Sequence, residues 1–150
     1  MQLKLHTDYG LRVLILLAHA KRPATTDEMA EALDVSRNHL LKVVRTLAGR
    51  GWVSTSRGRS GGVALAVDPD AIDVADVVGA LEGREGVLAC VAQPEVCVLE
   101  PGCRLRRKLM AAEDAFYAVL AGTTIADLVH RPAPKHGLSH RGLRSPPSPN

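Results

Sequence analysis

Apolar residues in the first third of the chain recur every three or four positions, which is the spacing of helices that bury one face. They predict a first helix over residues 7–21 and a second helix after Thr25, which can form a capping box with Glu28. Ser36 can cap a third helix that turns Leu40 and Val44 toward the core. Two helices joined by so short a turn are typical of a helix-turn-helix.

The pattern then changes to short strands around a glycine-rich loop. Residues 52–56 and 63–67 predict two strands, and the loop over 57–62 predicts a wing. A shorter helix is expected over 73–81. From Arg104, apolar residues at spacings of three and four predict a long amphipathic helix, whose uncovered stripe suggests pairing between protomers. The predicted fold class is mainly α with a small β wing, a winged helix-turn-helix followed by a long dimerisation helix.

The chain divides into three segments by composition. Residues 1–67 form the predicted winged helix, residues 68–130 the cysteine loop and dimerisation helix, and residues 131–150 a tail that we expect to be disordered. Within the second segment, residues 83–103 are expected to be irregular and residues 124–129 to form a turn or two of helix. The spacing of the residues suggests no paired acid and base, so an enzyme is not expected.

Charge is segregated along the chain. Residues 1–66 carry ten Lys and Arg against five acids, residues 67–130 carry five against eleven, and residues 131–150 carry four against none. Residues 35–67 contain six Lys and Arg and no acid, which indicates a polyanionic partner, although a merely solvated face is the alternative. None of the few aromatic residues alternates with the basic residues of the wing, which argues against a single-strand or RNA platform.

The first turn of the second helix of a helix-turn-helix enters the major groove of double-stranded DNA. Arg37 there can bond a guanine edge, and Asn38 can pair with adenine. Two arginines among the glycines of the wing can reach the minor groove. The predicted DNA contacts are Ser36, Arg37, Asn38, His39, Lys42, Arg57 and Arg59. In the competing interpretation, Ser36 only caps the helix, Asn38 and His39 are solvated, and the wing is a plain hairpin.

The chain has three cysteines, Cys90, Cys97 and Cys103, with six and then five residues between them. Their odd number argues against a disulfide framework. The sequence shows no signal-peptide pattern and no apolar run of about 18 residues, so we expect a cytoplasmic protein without membrane association. In the cytoplasm the thiols are expected to stay reduced. Converging thiolates suit a soft metal centre, which would need a further ligand. Zinc and redox-active thiols remain alternatives, although the spacing matches no common zinc pattern.

Several short motifs occur together in this chain: MQL at 1–3, TDYGLR at 7–12, VSRNH at 35–39, RG at 57–58 with GG at 61–62, and the cysteines followed by RL at 104–105. In this combination the chain resembles the winged-helix iron-sulfur regulators, which include nitric-oxide-sensing repressors and regulators of cluster assembly. The resemblance implies a homodimeric repressor that binds a palindromic DNA operator, carries one cluster per protomer and releases the DNA when nitric oxide attacks the cluster. A cluster or electron carrier with no DNA role would need no wing.

Carried over residue by residue, the cluster cysteines of the family fall on Cys90, Cys97 and Cys103. In the nitric-oxide-sensing members, a carboxylate at the start of the first helix of the partner subunit completes a [4Fe-4S] cluster, and that position is Asp8 here. Asp8 could instead stabilise the helix dipole and pair with Arg12. Cluster-assembly regulators place a His three residues after the last cysteine, where this chain has Arg106. The resemblance therefore favours [4Fe-4S] over the [2Fe-2S] centre of an iron-sulfur-status or redox regulator.

Overall fold

The structure, a computed structural model, describes residues 2–58, 61–83, 86–99 and 102–129. The predicted tail over 131–150 lies outside these residues. The helices are α1 (Leu5–Ala20), α2 (Thr26–Leu33), α3 (Arg37–Gly49), α4 (Val74–Glu82), α5 (Ala89–Ala92) and α6 (Arg104–Leu120). Between α3 and α4, β1 (Val53–Ser56) and β2 (Gly62–Leu65) pair antiparallel, with Val53 opposite Leu65. The mainly α fold with a small β wing is confirmed.

Side-chain caps fix where α2 and α3 begin. The Thr25 hydroxyl accepts the backbone N–H of Glu28, and the Glu28 carboxylate accepts the backbone N–H of Thr25, so the predicted capping box is present. This backbone hydrogen bond from Thr25 lowers the pKa of Glu28. Ser36 caps α3 as predicted, because its hydroxyl accepts the backbone N–H of His39 at 3.4 Å. The entry of α3, where the predicted DNA contacts lie, is therefore held by local hydrogen bonds.

One hydrophobic core joins the winged helix to α4. Val13 and Leu14 of α1, Leu47 of α3 and Val77 of α4 are at most 1% exposed and belong to the same cluster of packed side chains. Gly10 lets α1 approach α4 closely, since a Cβ at this position would collide with Leu81. Helix α1 is therefore set against α4 at Gly10 by close packing.

The root of the wing is tied to the segment between α1 and α2. Ala24 and Val63 exchange backbone hydrogen bonds of 2.9 and 2.8 Å. A Cβ at Gly62 would lie 2.8 Å from the Ala24 carbonyl oxygen, so glycine permits this approach. The base of the wing is thereby fixed against the helix-turn-helix.

The segments around α6 differ in detail from the sequence-based expectation. Residues 83–103, expected to be irregular, contain α5 and a 3₁₀ turn over Pro94–Val96. Residues after α6 form a hydrogen-bonded turn instead of a helix, because the N–H of Ile125 pairs with the Ile72 carbonyl at 2.9 Å. The Ile125 side chain is buried, which anchors this turn to the core.

Helix α6 itself is long and only partly covered. It contacts α4 and α5, yet none of its residues is fully buried. Its apolar side chains Leu105 and Val119 are 63% and 80% exposed. An uncovered apolar helix of this kind is typical of a surface that meets another chain.

Candidate nucleic-acid interface and cysteine site

The outer face of α3 carries the predicted base-reading residues. Leu40, Val43, Val44 and Leu47 are buried on its inner face, which leaves the opposite side to solvent. The five predicted contacts on this helix are all exposed: Ser36, Arg37, Asn38, His39 and Lys42. No acidic residue occurs in the helix. The structure thus gathers these residues on one basic, accessible surface, as an interface with a polyanion requires.

An acidic side chain from α2 reaches this surface. Asp27 Oδ1 lies 2.8 Å from Arg37 Nε, and the two side chains are 76% and 61% exposed. The ion pair therefore sits in solvent at the entry of α3, beside the other predicted contacts. This ion pair could not be predicted from the sequence, because the separation of ten residues does not show which acid of α2 faces Arg37.

The wing is only partly within the described residues. Arg57 is exposed at the end of β1, and Gly58 after it has a φ of 111°, a conformation that favours glycine. Arg59 lies outside the described residues. Of the two predicted wing contacts, the structure thus places one, on the accessible edge of the hairpin.

The first turn of α1 faces both solvent and α3. Asp8 Oδ1 accepts a hydrogen bond of 2.8 Å from Arg12 Nε, with the two side chains 39% and 37% exposed. The next residue, Tyr9, places its ring 6.3 Å from that of His39. His6 Nε2 lies 3.2 Å from the Thr46 hydroxyl. The residue predicted as a cluster ligand therefore lies on the same helical turn as two side chains that contact α3.

The three cysteines lie on the segment that leads into α6. Cys90 belongs to α5, Cys97 follows the 3₁₀ turn and Cys103 is the N-cap of α6; all three are free and partly buried. Arg106 Nε donates to the Cys90 carbonyl at 2.9 Å, and the backbone N–H of Arg106 donates to Cys103 Sγ at 3.5 Å. Arg106 thus ties the two ends of the cysteine segment together.

The residue types of this segment suit an iron-sulfur cluster. Within the described ranges, no three His, Cys, Asp or Glu side chains lie close enough together to hold a metal ion. A single ion needs such convergence, whereas the cysteines of an iron-sulfur cluster bind different iron atoms of a wider group. Three free thiols on one segment are the soft ligands that iron-sulfur clusters take, with one further ligand required.

The sequence matches the model of the Rrf2 family, described as iron-dependent transcriptional regulators, over residues 3–131. The chain belongs to the Rrf2 family. It is 42% identical over 133 residues to the HTH-type transcriptional regulator NsrR of Bacillus subtilis (strain 168), which covers 86% of this chain and 90% of that protein. This chain is therefore an NsrR-like Rrf2 regulator, with a winged helix that binds DNA.

Solved structures agree with this assignment. The global cysteine regulator CymR (YrzC) of B. subtilis matches the Rrf2 chain with a TM-score of 0.69 and 31% identity, over 85% of this chain and 95% of that one. IscR of T. potens matches with a TM-score of 0.68 over 85% of each chain, and at 24% identity this likeness shows the fold alone. In the described part of this Rrf2 chain, no helix is long and apolar enough to cross a bilayer.

Proposed function

We propose that this Rrf2 regulator is a homodimeric repressor that binds a palindromic operator and releases it in response to nitric oxide, sensed through a [4Fe-4S] cluster. The observation that carries the proposal is that one chain has both three free, partly buried cysteines and a basic, exposed surface on α3. The 42% identity to NsrR supports the repressor role.

Four side chains would hold the cluster: Cys90, Cys97 and Cys103 of one protomer and Asp8 of the partner subunit. When bound, such a cluster supplies an iron that is open to nitric oxide, because an oxygen ligand is more exchangeable than a thiolate. The 39% exposure of the Asp8 side chain supports this role, since its carboxylate is accessible from outside the chain. In the single chain Arg12 pairs with Asp8, so ligation would compete with this ion pair.

The contacts of α1 suggest how loss of the Asp8 ligand would reach the DNA. Tyr9 and His6, on the same turn as Asp8, contact His39 and Thr46 of α3. A shift of this turn would therefore displace the reading helix. A palindromic operator tolerates little change between the two reading helices of a dimer. A thousandfold loss of operator affinity needs only about 4 kcal/mol.

A second copy of the chain would cover the apolar surface that remains exposed. This surface includes Leu105 and Val119 of α6. It also includes Val98 and Leu99 of the cysteine segment, which are 97% and 68% exposed. Pairing through these residues would bring the cysteine segment next to the partner subunit, as a ligand shared between protomers requires. The DNA surface, formed by Ser36, Arg37, Asn38, His39, Lys42, Arg57 and Arg59, would then be present twice, as a palindrome demands.

A cysteine variant tests the proposal. Wild type and Cys97→Ala are purified without oxygen, their clusters are assigned from absorption and mass, and both are titrated with a duplex selected by the wild type. We expect a [4Fe-4S] cluster in the wild type, and weak duplex binding by the cluster-free variant. Equally tight binding by Cys97→Ala would refute the sensor role, and a [2Fe-2S] centre or zinc in the wild type would refute the cluster assignment.

A further inference from the structure

The Asp27–Arg37 ion pair places a negative charge at the entry of an otherwise acid-free reading helix. We propose that Asp27 is a specificity-determining residue, which orients Arg37 for base reading and disfavours binding to other DNA. The proposal rests on the role of Arg37 as a base contact in the proposed function.

The atoms in contact allow Arg37 to read a base while it stays paired. The closest atoms of the pair are Asp27 Oδ1 and Arg37 Nε, in a charge contact and not a directed hydrogen bond. Within the described part of the chain, the ion pair leaves Nη1 and Nη2 without a protein partner, and these two groups suit the O6 and N7 acceptors of guanine. An arginine whose guanidinium is attracted to a neighbouring carboxylate loses less conformational freedom on binding than one that moves freely. Asp27 would therefore strengthen the contact with guanine in one orientation.

When Arg37 is displaced from Asp27, the charge of Asp27 weakens binding to DNA. DNA phosphates repel a carboxylate, so an exposed acid at this surface weakens sequence-independent binding unless a cation compensates it. At a base that does not accept two hydrogen bonds, Arg37 would turn toward a phosphate and leave Asp27 uncompensated. A repulsive element that acts mainly against the wrong partner is a recognised source of specificity.

A plainer role for Asp27 predicts different behaviour. Asp27 lies in the first turn of α2, where a carboxylate stabilises the helix dipole. If that were its whole role, a substitution would change thermal stability slightly and leave base preference unchanged. Exposed ion pairs contribute little to stability, so the substituted protein is expected to fold.

The experiment measures base preference directly. Wild type, Asp27→Asn, Arg37→Ala and Asp34→Asn, each purified without oxygen as the full chain, are bound to a pool of duplexes with a randomised centre, which is sequenced before and after selection. Asp34→Asn is the matched control, because Asp34 is an exposed acid of the same helix-turn-helix with a φ of 52°, which Asn tolerates. Affinity for one duplex of unrelated sequence is measured in parallel.

We expect Asp27→Asn to reduce the preference roughly two- to fivefold at the same position that Arg37→Ala relaxes, and to raise affinity for the unrelated duplex. Asp34→Asn should leave base preference unchanged. If Arg37→Ala relaxes a position that Asp27→Asn leaves intact, Asp27 has no part in specificity, although the reading role of Arg37 stands. If Arg37→Ala changes base preference at no position, or the wild type selects no sequence, Arg37 does not read a base and Asp27 cannot act through it.

Discussion

Tyr9 lies against His39, with the two ring centroids 6.3 Å apart and the ring planes inclined by 34°. Tyr9 follows Asp8 directly, and His39 lies in the first turn of α3, the helix proposed to read DNA. One step along the chain thus separates the proposed cluster ligand from a side chain that touches the proposed DNA surface. If cluster state controls DNA affinity, this contact is a direct route for the effect.

Removing the Tyr9 ring should weaken that control. We expect Tyr9→Ala to reduce, by up to about tenfold, the ratio of duplex affinities between cluster-loaded and cluster-free protein, since an aromatic pair contributes about 0.5–1.5 kcal/mol. Tyr9→Phe is the control, because it keeps the ring that makes the contact. Titration of a selected duplex by fluorescence anisotropy gives the ratio, and an unchanged ratio in Tyr9→Ala would show that control runs through other contacts.

Substitutions on α3 should separate base reading from phosphate contact. We expect Arg37→Ala to lose about 1–3 kcal/mol of discrimination at one base, and Lys42→Ala to weaken binding to all duplexes and reduce the salt dependence by about one charge. Both side chains are exposed, so neither change should unfold the protein. Binding at several salt concentrations checks this, and the reverse pattern would exchange the two assignments.

Two substitutions on α1 distinguish ligation by Asp8 from its ion pair. Asp8→Ala removes both the carboxylate and the pair with Arg12, whereas Arg12→Ala removes only the pair. We expect Asp8→Ala to lose its cluster faster on exposure to a chelator, and Arg12→Ala to retain it like the wild type. Visible absorption over time follows the loss. Equal rates in Asp8→Ala and the wild type would mean that Asp8 is not a ligand.

Two helical glycines offer a test of the packing between α1 and α4. A Cβ at Gly10 would collide with Cδ1 of the buried Leu81. We expect the cost of this overpacking to exceed the gain in helix propensity, so that Gly10→Ala lowers the free energy of unfolding by about 1–2 kcal/mol. At Gly79 the nearest atom, Cε1 of Tyr117, would lie 3.7 Å away, an ordinary contact. Gly79→Ala should therefore be neutral or gain up to about 1 kcal/mol from helix propensity. Denaturant unfolding of both variants measures the difference, and equal stability would argue against close packing at Gly10.

Local signals explain why much of the fold could be predicted from the sequence. Three features depend on residues that are close together in the sequence, so their spacing alone identifies them: the Thr25–Glu28 capping box, the Ser36 cap and the glycine-flanked wing. The segment after α6 could not be predicted in this way. Its conformation depends on pairing with residues 72–74, about fifty positions earlier in the chain.

In the candidate site, too, local features could be predicted from the sequence and contacts between distant residues could not. Exposure of Arg37 and its neighbours follows from the apolar face of α3, which the sequence shows. The contact partners of Arg37, His39 and Arg106 could not be predicted from the sequence, because each partner belongs to a different element of the fold. Residue type indicated which side chains could act, and only the packing of α1, α2 and α5 shows what each one touches.

The most direct test of the sensor role combines cluster, DNA and signal in one measurement. The full chain is purified without oxygen, mixed with a duplex selected by the wild type, and followed by native mass spectrometry as nitric oxide is added. We expect a dimer with two [4Fe-4S] clusters on the duplex, which dissociates from the duplex as nitric oxide reacts. A dimer that stays bound to DNA throughout the titration, whether it carries clusters, zinc or no metal, would contradict the sensor role.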